Sequence, residues 1–254
     1  MERVPLSVVI ITLNEEHSLG DCLKSIEFAD ELVVVDSGST DKTVEIAEKA
    51  GAIVINQPWL GYGAQKQQGV DQAINDWVLC IDADERVSRD LSTAILTVLE
   101  SPNAKAYEMP RCNRFMGRWL RHGEGYPDLS LRLFNRNFAK WSNDVVHEKV
   151  IADCEVIRLK GDLLHESEHG ITEYISKQNR YTSLQAQSMF ESGKRIGALK
   201  LISSPIFRFI KFYFIRLGFI DGLPGLIHIA IGCVNSFLKY AKLIEKSKSG
   251  KNIS

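Results

Sequence analysis

The stretch VVVDSGSTDKT, residues 33–43, indicates the fold of this chain. It begins as a run of β-branched residues, which is typical of a buried strand, and then breaks into Asp, Ser and Gly. Residues 37–39 can form a turn, and Asp41 can cap a helix that follows it. Neither feature explains Asp36, the carboxylate on which the strand ends.

Four near-continuous hydrophobic runs occur in the first hundred residues, at 6–13, 31–36, 52–56 and 77–84. Runs that are apolar throughout are typical of parallel strands covered on both faces. Helix-like patterns separate the runs, and one of these patterns ends at Gly51, a residue type common after helix C-termini. The alternation predicts an α/β fold with a mainly parallel central sheet.

Polar residues follow three of these runs at the point where each run ends. They are TLNEE at 12–16, DSGSTD at 36–41 and DADE at 82–85. In parallel sheets, ligands bind outside the carboxyl ends of the strands. Caps and turns alone can explain one such end, whereas three together favour a binding site that includes Asp36.

Asp82 and Asp84 end the fourth run two residues apart. If the strand continues, both side chains lie on one side and can share a divalent cation, or a cation and a ribose hydroxyl. The alternative is a pair of surface aspartates in a turn. The segment GYGAQKQQG at 61–69 matches neither the P-loop nor the dinucleotide fingerprint. It opens a helix in which Lys66 can approach a phosphate, or can simply be solvated.

The composition is that of an ordinary globular protein, with 254 residues of which 44% are hydrophobic. A formal net charge of −1 gives no reason to expect nucleic-acid binding. The five cysteines have no CxxC spacing, which favours small core residues in a reducing compartment. The N-terminal residues lack a secretory pattern, so we expect a cytoplasmic protein.

The most apolar part of the chain is 204–243. Its basic residues Arg208, Lys211 and Arg216 fall within one arc of a helix, opposite Phe-rich faces, which is typical of helices at a membrane interface. A second arc of polar residues follows on the next helix: His228, Asn235, Lys239 and Lys242. The alternatives are helices packed on the preceding domain and a spanning helix, for which the apolar run is short.

Three regions are therefore expected along the chain. The first is an α/β domain at 1–195, in which 105–160 adds strands and loops and 171–192 forms a helix. The second is an amphipathic, membrane-associating appendage at 196–245, and the third is a disordered basic tail at 246–254.

The order of the motifs VVIITLNEE, LVVVDSGSTDKT, GYGAQKQQG and VLCIDADE resembles the family 2 glycosyltransferases. These are inverting enzymes of the GT-A fold that use nucleotide-diphosphate sugars and a divalent metal. The later segments YPDLSLRLFNRN, VVHEKV and DLLHESEHG resemble the bacterial lipopolysaccharide inner-core branch, especially its β-1,4-glucosyltransferases. The likeness spans nearly the whole chain.

This resemblance implies a role for each strand end. The nucleoside pocket would be lined by Thr12, Asn14, Glu16 and Asp36. Asp36 would accept a hydrogen bond from the uracil N–H, and Lys66 would meet the diphosphate. Asp82 and Asp84 would hold the ribose and a cation, Mg²⁺ or Mn²⁺. His165 is a candidate third contact to metal or phosphate, although an isolated His is more often structural.

Inversion requires an acceptor hydroxyl to attack opposite the departing diphosphate, so a carboxylate base is needed on that side. Asp128 and Glu148 are the two candidates, and the sequence does not choose between them. His147 can orient the base or contact phosphate. Arg132 can instead pair internally with one of these carboxylates.

The function expected from this resemblance is the transfer of glucose from UDP-glucose to a heptose of a lipid-anchored lipopolysaccharide core. The enzyme would lie peripherally on the cytoplasmic face of the inner membrane. One alternative is a polyprenyl-phosphate sugar transferase. An alternative from another class is a non-catalytic nucleotide-sugar-binding scaffold.

Overall fold

The computed structural model describes residues 3–142, 148–166 and 170–249. By its internal contacts the chain forms two compact units. The sheet unit comprises residues 1–112 and 128–166, and the helical unit comprises 113–127 and 167–254. The predicted boundary at 195 differs from this division, because the helix at Ile171–Glu191 packs on the last helix of the chain.

The strands are β1 Leu6–Thr12, β2 Glu31–Asp36, β3 Ile53–Asn56, β4 Trp77–Asp82, β5 Glu85–Val87, β6 Ala106–Phe115, β7 Arg118–Trp119, β8 Asp128–Asn135, β9 Ala139–Trp141, β10 Val150–Ala152, β11 Val156–Arg158 and β12 Leu163–His165. The helices are α1 Leu19–Lys24, α2 Thr43–Lys49, α3 Tyr62–Gln72, α4 Arg89–Glu100, α5 Ile171–Glu191, α6 Ala198–Phe209 and α7 Gly222–Ser249. A π-helical turn at Ile210–Ile215 and a 3₁₀ turn at Gly218–Asp221 connect α6 to α7.

The main sheet has the strand order β3-β2-β1-β4-β8-β6-β12-β5. Its first four strands are parallel, as the sequence predicts, and β8 then joins β4 in antiparallel orientation. The chain moves outward from β1 to β3 and returns to the other side of β1 with β4. At such a reversal of strand order, the carboxyl ends of the two central strands flank a crevice.

Helix α3 lies unusually close to the sheet because of Gly69. A side chain at this position would collide with Val9 of β1, and its Cβ would lie 2.9 Å from Cγ2 of Val35 in β2. Glycine therefore lets the helix backbone approach the strands. One turn earlier on α3, this packing holds Lys66 against the carboxyl ends of the strands.

In the helical unit, buried Asp221 ties the segment 113–127 to the start of α7. Its carboxylate accepts hydrogen bonds from the backbone N–H groups of Arg121 (3.0 Å) and His122 (2.8 Å). Oδ1 of Asp221 also lies 3.1 Å from Nδ1 of His122. These hydrogen bonds satisfy the buried carboxylate and fix the two segments to each other.

The predicted basic arc on α6 is wrong. Arg208 forms a two-point ion pair with Glu124, and Arg216 donates a hydrogen bond to the carbonyl oxygen of Tyr126. These two guanidinium groups therefore serve contacts inside the unit. Of the three predicted residues, only Lys211 is left without such a contact among the described residues.

The polar arc predicted on α7 likewise faces another helix. Asn235 donates to Oε1 of Gln178 on α5 at 3.1 Å. Lys242 donates to the carbonyl and side-chain oxygens of Asn179, the residue after Gln178 on α5, at 2.9 and 2.6 Å. Periodicity identified this stripe correctly but assigned it to the wrong surroundings, since polar stripes can bond to one another as well as to water.

Large apolar side chains lie on the outside of the helical unit. The exposed ones on α6, the connecting turns and α7 are Leu199, Ile202, Ile206, Phe207, Ile210, Phe214, Ile215, Leu217, Phe219, Ile220, Leu223, Val234 and Phe237. Of these, Phe207 is 70% and Ile215 is 71% exposed. From α6 through α7, many apolar side chains thus face outward while several polar groups bond within the unit, in contrast to a water-soluble helical bundle.

One helix in the described part of the chain, Gly218–Lys248, is long and apolar enough to cross a membrane. Its mean hydropathy is 1.3 over the most apolar window, of which 28% is buried. The sequence argument that the segment is too short to span therefore does not hold on length. The helix also continues through Ser249, so residues 246–249 are helical, and the rest of the predicted tail lies outside the described residues.

The stability of the helical unit should depend on pH through His228. Its Nε2 lies 2.9 Å from the Tyr174 hydroxyl, and burial together with the charge of Arg208 lowers the pKa of His228 to about 4. The unfolded chain, with a His pKa of about 6.5, binds a proton in this window that the folded protein does not. The free energy of unfolding should therefore fall by about 2 kcal/mol from pH 7 to pH 5 through this residue alone.

Urea unfolding of the wild type and of His228→Gln at both pH values measures this effect. The variant should lose that part of the pH dependence. An identical pH dependence in both proteins would show that His228 has the same pKa in the folded and the unfolded chain, which would contradict the effect of its burial.

Candidate active site

The carboxyl ends of β1 and β2 meet at Thr12 and Asp36, which are register partners. The Thr12 hydroxyl donates to Asp36 at 3.0 Å. The same carboxylate accepts the N–H groups of Gly38 (2.9 Å) and Ser39 (2.8 Å) and the Ser39 hydroxyl (2.5 Å). Four hydrogen bonds thus occupy Asp36, so its carboxylate holds the turn after β2, and any contact with a nucleobase would have to replace one of them.

Asn14 and Glu16 join the loop after β1 to the loop after β2. Asn14 adopts a left-handed backbone conformation (φ 55°), and its side-chain oxygen accepts the N–H of Thr40 at 2.8 Å. Glu16 accepts the N–H of Lys42 at 3.1 Å. The four residues expected at the nucleoside pocket are therefore brought together in one network of cross-linked loops.

Asp41 is part of the same network and is not the N-cap of α2. It precedes the N-cap residue Lys42 and accepts both the N–H and the hydroxyl of Thr43 at 3.0 and 2.5 Å. Its second oxygen accepts the N–H of Glu16 at 3.2 Å. Asp41 thus fixes the two loops to each other and to the first residue of the helix.

At the end of β4, Asp82 is engaged by two buried cations. The ammonium of Lys66, which is 3% exposed, lies 2.8 Å from one carboxylate oxygen, and Arg132 Nη2 lies 3.2 Å from the other. Burial alone would raise the pKa of Asp82, but the charges of Lys66 and Arg132 hold it well below its usual value. Asp82 is therefore ionised at neutral pH, and Lys66 is neither solvated nor unpaired.

Trp141 of β9 covers both cations of this cluster. Its ring centroid lies 4.8 Å from the Lys66 ammonium and 5.7 Å from the Arg132 guanidinium carbon. Nη1 of Arg132 is buried without a hydrogen-bond partner among the described residues. The face of the indole ring partly compensates for that missing acceptor.

Further ion pairs extend the cluster along β5, β6 and β8. Arg132 also lies 3.1 Å from buried Glu85, and Arg111 lies 3.6 Å from the same carboxylate. Arg111 in turn pairs with Asp128 at 2.8 Å. Arg132 thus pairs internally as expected, but with Asp82 and Glu85 in place of the two candidate bases. Burial raises the pKa of Glu85, and the nearby Asp82 charge opposes the effect of Arg132.

Asp84 and His165 come together beside this cluster. Strand β12 ends at His165 and pairs with β5, which directly follows Asp84, so that His165 Nε2 lies 3.1 Å from an Asp84 carboxylate oxygen. One carboxylate and one imidazole fit a divalent cation that takes its remaining ligands from phosphate and water. In the described ranges no group of three or more acidic, Cys or His side chains could hold a metal.

Glu148 lies against the first turn of α3, next to Gly63. A Cβ at Gly63 would be 3.3 Å from the Glu148 Cβ and would collide with the carbonyl oxygen of Ser142. No ion pair or hydrogen bond joins the Glu148 side chain to another described residue, in contrast to Asp128. His147 lies outside the described residues.

Three residues of this region were not among the predicted site residues: Gln65 and Glu85, which are buried, and Arg111, which is partly buried. Gln65 donates to the Ser37 hydroxyl at 3.1 Å and to the carbonyl of Gln57 at 3.0 Å, which fixes the loop before α3. Glu85 and Arg111 complete the ion cluster. Glu85 directly follows the DAD motif, so its position in the sequence could have indicated it. The partners of Gln65 and Arg111 are remote in sequence, so no local pattern indicates those contacts.

The two Asp residues of the DAD motif should differ in their effect on stability. Asp82→Asn leaves the buried charge of Lys66 without a counter-ion and Arg132 with Glu85 alone, so the free energy of unfolding should fall by about 3–5 kcal/mol. Asp84→Asn is partly exposed and should change it by less than about 1 kcal/mol. Chemical denaturation of the two variants measures the difference, and equal losses would contradict the structural role assigned to Asp82.

Comparison with known proteins agrees with this geometry. The family model described as "Glycosyl transferase family 2" matches residues 7–151. An uncharacterized glycosyltransferase of Rickettsia typhi (strain ATCC VR-144 / Wilmington) is 34% identical over 98% of this chain and 89% of its own length. The lipopolysaccharide core biosynthesis glycosyltransferase LpsC of Rhizobium meliloti (strain 1021) is 34% identical over 96% of this chain and 93% of its own length.

Among solved structures, residues 1–349 of S. aureus TarS in complex with UDP superpose with a TM-score of 0.50. The sequence identity is 15%, over 97% of this chain and 92% of that chain, so the likeness concerns the fold. It agrees with the predicted GT-A-type α/β fold. Since the family model covers more than half of the chain, and full-length relatives are glycosyltransferases, the chain belongs to glycosyl transferase family 2.

Proposed function

We propose that this glycosyltransferase is inverting and metal-dependent and moves glucose from UDP-glucose to a heptose of the lipopolysaccharide inner core. The observation that carries the proposal is the meeting of Asp84 and His165 next to the Asp82–Lys66 ion pair, at the strand ends where ligands of such sheets bind. The 34% identity with LpsC supports a core saccharide as acceptor.

The charges at the donor end favour a cation cofactor. The three cations Lys66, Arg132 and Arg111 are already balanced by the carboxylates of Asp82, Glu85 and Asp128, so a nucleoside diphosphate would bring negative charge that this cluster does not balance. A cation between Asp84 and His165 would supply the missing positive charge and stabilise the leaving diphosphate. The same two side chains would fix its position beside β4.

Of the two candidate bases, Glu148 is favoured over Asp128. The base must accept the proton of the acceptor hydroxyl as the bond to the anomeric carbon forms. Asp128 is held by Arg111 at 2.8 Å, so part of its carboxylate is already engaged in an ion pair. Glu148 has no such partner among the described residues. It lies next to Gly63 in the first turn of α3, the helix that also carries Lys66.

Transfer of radiolabel from UDP-glucose to heptose-terminated core saccharides tests this function. We expect a β-linked product, a turnover lowered at least about a hundredfold in Glu148→Gln, and a smaller loss in Asp128→Asn. Donor affinity should change little, because the base acts on the acceptor.

Three outcomes would contradict the proposal. Label found in a polyprenyl phosphate would indicate the alternative acceptor, and no transfer or donor hydrolysis at all would indicate a scaffold. Full rates in both variants would exclude both carboxylates as the base.

We further infer that the outer face of the helical unit lies in a membrane surface, where a lipid-anchored acceptor would be found. The apolar side chains exposed on α6 and the following turns support this location, and so does the inward orientation of Arg208. Lipid is the favoured occupant because apolar groups cover the outside while polar groups bond within. Burial of these apolar side chains should then contribute more to the free energy of membrane binding than the attraction between basic residues and lipid headgroups does.

Replacing Phe207 and Ile215 with Ser should weaken binding to phosphatidylcholine vesicles more than about tenfold. Each buried apolar side chain is worth about 1.5–3 kcal/mol, and salt should have little effect. Cosedimentation measures binding, and Ile74→Ser, which removes an exposed apolar side chain of the sheet unit, is the matched control. Unchanged binding in the double variant, or a wild type that binds no vesicles, would contradict this location.

A further inference from the structure

A polar cavity lies among the helices of the helical unit. Its volume is ≈ 290 Å³, near the lower end of the range for small-molecule sites. Every lining residue except Gly232 has a polar side chain. The main contributors are Gln178, Tyr181 and Gln185 of α5, Arg208 of α6, and Asn235 and Lys239 of α7.

Carboxamides and hydroxyls make up most of this lining. Gln178, Gln185 and Asn235 can each donate and accept hydrogen bonds, as can the Tyr181 hydroxyl. Neighbouring hydroxyl groups of a sugar or another polyol also both donate and accept. The lining therefore matches a polyhydroxylated ligand better than an apolar one.

The cavity carries one positive charge in excess. Arg208 is neutralised by the two-point ion pair with Glu124, which also lines the cavity. Gly232 makes this pair possible, since a Cβ there would collide with the Glu124 carboxylate. Lys239 has no ion pair with a described residue and lies over the ring of Tyr240 at 4.8 Å. One free ammonium suits one phosphate monoanion.

Exposed apolar side chains lie on the outside of α6 and α7, two of the helices that line the cavity, so a ligand with a polar head and an acyl tail would satisfy both surfaces. We propose that this cavity binds the phosphorylated polyol or sugar headgroup of a membrane lipid. It shares no residue with the strand-end site, and its occupation requires no sugar transfer. Phosphate and hydroxyls are both recognised, the first by Lys239 and the second by the carboxamides.

Two anionic lipids of equal charge separate headgroup recognition from electrostatic attraction. Phosphatidylinositol carries a phosphorylated hexol, and phosphatidylglycerol carries a phosphorylated glycerol. Wild-type protein should bind phosphatidylcholine vesicles containing phosphatidylinositol about tenfold more tightly than those containing phosphatidylglycerol. Lys239→Gln and Gln178→Ala should each remove most of this preference.

The matched control is Lys248→Gln, which removes the same charge from the end of α7 outside the cavity lining. It should keep the preference for phosphatidylinositol. Equal binding of both vesicle types by the wild type, or a preference that survives in Lys239→Gln and Gln178→Ala, would overturn the proposal.

Calorimetric titration with glycerophosphoinositol, the same headgroup without acyl chains, tests the cavity in the absence of a membrane. Binding of this compound that is lost in Lys239→Gln supports the cavity, even if no vesicle binds and the membrane location fails. Inorganic phosphate that competes equally well would overturn the assignment of a polyol. None of these readouts depends on turnover, so failure of the proposed transfer leaves them interpretable.

Discussion

The carboxylate of Asp82, shared by Lys66 and Arg132, is the interaction on which the candidate site depends. Lys66 comes from α3, Arg132 from β8, and Trp141 of β9 covers both cations. One ion cluster therefore joins four elements of the sheet unit at the end of β4. Because an unpaired buried charge costs several kcal/mol, these elements are fixed to one another. Asp84, two residues on, is left to meet His165.

The place of this cluster follows from strand order. Strand β1 lies between β2 and β4 and runs parallel to both, so the carboxyl ends of β1 and β4 reach the same edge. Ile11 and Asp82 are register partners there. Hydrogen bonds from Asn14 and Glu16 then cross-link the loops that follow β1 and β2. These hydrogen bonds restrict the loops at the edge, which reduces the entropy that ligand binding must overcome.

The sheet could be predicted because it depends on local patterns. Apolar runs located the parallel strands, and the residues after them indicated a candidate site, whose role stays a prediction. The partners of Lys66 could not be predicted, since its ion pair joins segments remote in sequence. Periodicity also failed for Arg208, because a helical pattern shows which residues share a face but not what that face contacts. Which polar side chains of α6 and α7 bond inside the helical unit could be seen only from the hydrogen bonds and ion pairs of the structure.

The most direct test of the site is Mn²⁺ binding in the presence of UDP, followed by electron paramagnetic resonance. UDP should tighten Mn²⁺ binding by the wild type, and Asp84→Asn and His165→Gln should each weaken it at least about tenfold. The exposed Glu45→Gln variant should bind as the wild type does. Unchanged Mn²⁺ binding in the Asp84 and His165 variants would contradict the proposed cation site and, with it, the assignment of the donor end.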